Sequence, residues 1–189
     1  MQNLDLVEIP CNFVGSFKVG DNISYNVDIL TELCKANEED RFNKVIVCQV
    51  GSILEACLSE VISRAQNFNR EGVISITEED RSEISLKKID KFNTVIDIMK
   101  KYHILDKLGS DIYDELHRIR KYRNKIHIQD DINIGGVPRD EIEAFTAEIF
   151  KWSLNLNFRV VKFLSEELLR PKHQSYVQPL KIPVLIKSA

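Results

Sequence analysis

The stretch LHRIRKYRNKIHIQDD, residues 116–131, sets Arg118, Arg120, Lys121, Arg123 and Lys125 in a run with no acidic residue before Asp130, and places His117 and His127 inside it. Permanent cations beside an imidazole and an amide suit a phosphodiester: guanidinium groups meet its negative charge, and imidazole moves protons near neutral pH. The chain as a whole carries a formal net charge of −3 at pH 7. It is therefore no general nucleic-acid coat protein, and any polyanion site must be local.

Wound as a helix with Arg120 at zero, the stretch places Tyr122, Ile126, Ile119, Ile112 and Leu116 on one arc, from about 200° to about 320°. That arc is the predicted buried stripe. Arg118, Lys121 and Lys125 fall on the opposite side, where a charge run is ordinarily a solvated face. Arg123 falls at about 300°, inside the apolar arc, with His127, Arg120 and Asn124 following beside it. A guanidinium there needs a partner. Two are open to it: a carboxylate, Glu55 on the central helix in a register-setting ion pair, or a phosphate bound by Arg120, Arg123, Asn124 and His127 together. His117, at about 60°, is an edge position: a solvated histidine, or an auxiliary proton carrier.

No other cluster competes with this one. His103 and His173 stand alone in the sequence, and Cys11, Cys34, Cys48 and Cys57 form no C-x-x-C pair, so neither a metal nor a cofactor is expected. No G-x-x-x-x-G-K loop is present, and Gly135-Gly136 reads as a turn. Asp130 and Asp131 read as the end of a helix. Trp152, at helical spacing from Phe145, Ile149, Leu156 and Phe163, reads as core or dimer interface.

The elements that must position the cluster are mostly helical. Residues 1–21 suit an extended arm, residues 22–169 a bundle of about five helices, and residues 170–189 a second extended arm. The helices are expected from 22, from about 41 to 68, from about 82 to 102, from 110 to about 128 with Ser110 as cap, and from 138 to about 169, where Pro171 stops the last. Thr77 and Asp80 form a relative of a capping box. The fold class is all-α.

At 189 residues, with 43% hydrophobic and 29% charged side chains, the chain suits one globular domain rather than a disordered segment. Its most apolar run, VIVCQVGSILEACLSEVI, is interrupted by Gln49, Ser52, Glu55, Ser59 and Glu60, which marks a core helix rather than a membrane span. The first residues lack the basic start and apolar run of a signal peptide. With unpaired thiols, this predicts a cytoplasmic protein with no membrane association.

At YRNKIHI the sequence resembles the HEPN superfamily, small helical domains with an arginine, a following polar residue and a histidine at the end of a late helix. Arg123, Asn124 and His127 look like that motif, and SILEACL is similar to the family's core helix. The interval from Arg123 to His127 is shorter than the family's usual one. Counted from Arg120 it fits, but Lys121 then stands where a polar residue is expected. The resemblance implies metal-independent cleavage of RNA, with Arg123, Asn124 and His127 catalytic, Arg120 and Lys121 on the phosphate, and a homodimer that pools two copies of the site. It also implies a toxin or defence effector held by a cognate antitoxin or nucleotidyltransferase. The alternative is a non-catalytic module of the same fold that binds RNA, a nucleotide or a partner protein.

Overall fold

The apolar run at the centre of the sequence becomes the helix around which the others pack. The structure, a computed structural model, describes residues 4–15, 18–68, 73, 75–127 and 134–186. Along the chain these form β1 (Leu4–Pro10), α1 (Lys18–Lys35), α2 (Asn43–Asn67), α3 (Glu78–Ser85), α4 (Phe92–Lys101), α5 (Ile112–Asn124), α6 (Glu141–Ala144), α7 (Ala147–Glu167) and β2 (Pro179–Leu185). The fold is mostly helical with one two-stranded sheet.

α2 buries residues on every side, among them Ile46, Val50, Ile53, Leu54, Leu58, Val61 and Ile62, and it touches α1, α3, α4, α5 and α7. It is long and apolar enough to cross a membrane, yet 61% of its most apolar window is buried inside the protein. A helix apolar over most of its circumference must be surrounded, and here other helices surround it.

The two ends of the chain meet. β1 and β2 pair antiparallel, from Leu4 opposite Leu185 to Pro10 opposite Pro179, and the ribbon lies against α1 and α7 with Ile9, Leu180 and Ile182 buried. Two contacts fasten these ends to the bundle. Gly20 has no side chain because the Tyr176 ring occupies that space, 2.5 Å from where a Cβ would stand, and the Tyr176 hydroxyl donates to Asp21 at 3.0 Å. Glu60 on α2 accepts from Arg170 at 3.0 Å and from the Gly15 N–H at 3.4 Å.

Several elements differ from expectation, each for a local reason. α1 begins at Lys18 rather than at residue 22. The helix expected over 82–102 is two: the Thr77–Asp80 capping box starts α3 at Glu78, and α4 starts afresh at Phe92. The N-cap of α5 is Asp111, not Ser110, whose hydroxyl donates to the Asp111 carboxylate instead. The last helix is divided between α6 and α7 because the Asp140 and Thr146 side chains each cap a separate start. The described residues therefore hold seven α-helices instead of about five. Asp130 and Asp131 lie outside the described residues.

One buried polar side chain works against this packing. Asn157 on α7 is 0% exposed, and among the described residues neither its oxygen nor its nitrogen has a hydrogen-bond partner. An unpaired buried amide costs roughly 1–3 kcal/mol. Asn157→Leu, similar in shape and apolar, should raise Tm in a thermal melt; a lower Tm would mean that an internal water pairs the amide.

Candidate functional site

α5 turns one apolar face, Ile112, Leu116, Ile119 and Tyr122, onto the core. It stops at Asn124, with Lys125 as its C-cap, so the helical wheel does not extend to His127. Ile126, expected in the buried stripe, is 53% exposed for the same reason. Lys125, expected on the wet face, is buried, and its Nζ donates to the Arg139 carbonyl at 2.7 Å. Lys121 donates to the Gly135 carbonyl at 2.8 Å. Both lysines thus hold the chain that returns toward α6, and neither lines the depression described next. The exposed Arg118 lies over the Trp152 ring at 4.5 Å.

Beyond the helix end the chain still brings His127 back beside Asn124. Arg123, Asn124, Ile126 and His127 line a solvent-open depression of about 470 Å³, faced from α2 by Val45, Gln49 and Ser52. Arg123 and Asn124 are held by the last turn of α5, and His127 follows two residues after the cap.

Arg123 is not a free cation. Its guanidinium donates to the Glu55 carboxylate, with the two side chains 34% and 22% exposed. This half-buried pair takes one edge of the guanidinium and leaves its other N–H groups for a ligand. The approach depends on Gly51: a Cβ there would stand 2.8 Å from the Arg123 Cβ. Cys48 lines the same depression, but burial pushes its thiol up to about 11, so it is no nucleophile at neutral pH.

Arg120 and His117 lie outside the depression, further back along α5. The Arg120 Nε is buried without a hydrogen-bond partner among the described residues. His117 is half-buried rather than solvated, with Nε2 3.4 Å from an Asp97 carboxylate oxygen on α4. Burial pushes its imidazole below the ordinary value, Arg120 and Lys100 act the same way, and Asp97 and Asp114 oppose them. His117 is therefore neutral at pH 7 and held against α4.

Of the candidate residues, the fold brings Arg123, Asn124 and His127 together, with Glu55 behind Arg123, and leaves Arg120, Lys121 and His117 apart. Gln49 and Ser52 were not among the candidates. Their signal was present, because Gln49, Ser52, Glu55 and Ser59 recur every three or four residues on an otherwise apolar helix, which traces a polar stripe. No protein-family model, curated protein or solved structure matches the chain. The site is read from its own chemistry.

Gly51 gives the first test of this geometry. Alanine would gain about 1 kcal/mol of helix propensity, but overpacking against the Arg123 Cβ and Cγ costs about 1–3 kcal/mol. Gly51→Ala should therefore lower Tm and part Arg123 from Glu55; a raised Tm with unchanged ligand affinity would show that α5 shifts at no cost.

Proposed function

We propose that this protein is a metal-independent endoribonuclease of HEPN type, acting as a homodimer. The observation that supports it is the convergence of Arg123, Asn124 and His127 on one open depression. Cleavage begins as the ribose 2′-oxygen attacks the adjacent phosphorus. His127 takes the 2′-hydroxyl proton, the O2′–P bond forms, the P–O5′ bond breaks, and an acid gives the leaving 5′-oxygen its proton. The products are a 2′,3′-cyclic phosphate and a 5′-hydroxyl. Arg123, aimed by Glu55, meets the charge on the phosphorane, and Asn124 orients a phosphate oxygen. The second imidazole comes from the other subunit, since two-fold symmetry places the same patch opposite itself.

The four free thiols fit a reducing compartment such as the cytosol. A toxin or defence role, with a cognate antitoxin or nucleotidyltransferase as partner, belongs to the same proposal. A binding module without catalysis is the second reading, and the neutralisation of Arg123 by Glu55 favours it.

The experiment is cleavage of a labelled RNA in excess chelator. Expected are 2′,3′-cyclic phosphate ends, no cutting of single-stranded DNA, and a loss of about 10²–10⁴-fold in rate for His127→Ala with RNA affinity retained. Mixed dimers of wild-type and His127→Ala chains should fall near zero. Equal cutting of DNA would refute the chemistry, and binding without cleavage would select the second reading.

A further inference from the structure

The depression has two walls of different character. On one side stand the groups suited to a phosphate, Arg123, Asn124 and His127; on the other, α2 presents Gln49 and Ser52. The hydrogen bonds behind Gln49 and Ser52 fix what each offers to a ligand.

The chain of bonds starts at a backbone carbonyl, which can only accept. The Asn26 Nδ2 donates to the Asn22 carbonyl at 2.7 Å, so the Asn26 Oδ1 must point the other way. That oxygen can only accept as well, and the Gln49 Nε2 donates to it at 2.6 Å, with the Asn26 backbone carbonyl at 3.3 Å from the same nitrogen. The orientation of both amides follows from acceptors that cannot reverse their role. Gln49 is left with Oε1, which no described residue bonds. Ser52 is set the same way: its hydroxyl donates to the Cys48 carbonyl at 3.1 Å, leaving lone pairs outward. Gln49 thus presents an acceptor alone, and Ser52 presents one as long as its hydroxyl keeps the bond to Cys48.

Beside them stand Val45 and Ile126, 49% and 53% exposed, apolar surfaces on which a flat ring can lie. A volume of about 470 Å³ is of ligand size. We infer that the depression is a base-reading subsite selective for nucleobases bearing an exocyclic amino group, with Gln49 Oε1 and Ser52 Oγ as its acceptors. Adenine and cytosine offer that amino donor on their edge, and guanine offers its own, whereas uracil turns a carbonyl oxygen toward the same place and meets acceptor with acceptor. The inference rests on the depression being the RNA site proposed above, and it makes Asn26 a positioning residue that acts through Gln49.

The test separates the two claims by measuring binding and cleavage independently. Binding of adenosine 5′-monophosphate and of purine riboside 5′-monophosphate, which carries hydrogen in place of the amino group, is followed by NMR on the full chain. In parallel, RNA substrates with a single adenosine or a single purine riboside in a uridine background are assayed for cleavage. Wild-type protein should favour the amino-bearing partner about tenfold, the effect of losing one hydrogen bond and leaving an acceptor unpaired. Asn26→Leu, which removes the nearer of the two acceptors holding the Gln49 amide and leaves only the longer bond to the backbone carbonyl, should weaken that preference while sparing the Arg123, Asn124 and His127 side. Asn26→Asp, which keeps an acceptor for Gln49 Nε2 but loses the donor to the Asn22 carbonyl, should retain more of the preference than Asn26→Leu. Cleavage without preference in wild-type protein would overturn the inference and leave the ribonuclease standing. Preference in nucleotide binding without any cleavage would uphold the inference and remove the ribonuclease. Neither binding nor cleavage would overturn both.

Discussion

The site depends on the contact between Gly51 and Arg123. A glycine inside a helix costs about 1 kcal/mol relative to alanine, and here its bare backbone lets α5 come against α2. The close approach puts the Arg123 guanidinium on the Glu55 carboxylate, four residues along α2 from Gly51. The pair ties the last turn of α5 to α2. Asn124 in that turn and His127 just beyond it line the depression beside Arg123.

The basic run in an acidic protein divides its charges between structure and site. Arg118 lies over Trp152, whose indole nitrogen in turn donates to Glu115 at 2.9 Å. Lys121 and Lys125 satisfy the Gly135 and Arg139 carbonyls of the returning loop. Arg123 is half spent on Glu55. A run of five cations thus gives the depression only one guanidinium, already paired, and the local field is weaker than the sequence suggests. Recognition then depends on placed hydrogen bonds more than on bulk charge, which suits a small ligand or a single nucleotide better than an extended duplex.

The same central helix also organises the far end of the molecule. Further along α2, Glu60 accepts from Arg170 and from the Gly15 N–H and so fastens both chain ends. α2 therefore carries the acceptors proposed to read a base, the carboxylate that meets Arg123 and the anchor of the chain ends. A disturbance of α2 would reach all three.

The sequence alone determined the helical character and the buried positions Ile112, Leu116, Ile119 and Tyr122, and it offered Glu55 as one of two partners for Arg123; the tertiary structure shows that pair. Each follows from periodicity and from the cost of an unpaired charge on an apolar face, both of which are local or nearly so. It could not place the end of α5, since RNKIH carries no glycine or proline to stop a helix and the stop comes with the loop carbonyl that buries Lys125. For the same reason a seven-residue spacing gave a false shared face to Arg120 and His127. Only the tertiary structure brought Gln49 and Ser52 opposite His127, through the packing of α2 on α5, and fixed the direction of the Gln49 amide, which depends on Asn26, far away along the chain and adjacent only once α1 and α2 pack. Hydrogen-bond direction is set by which acceptors a neighbour presents, and neighbours across a fold are not written in spacing.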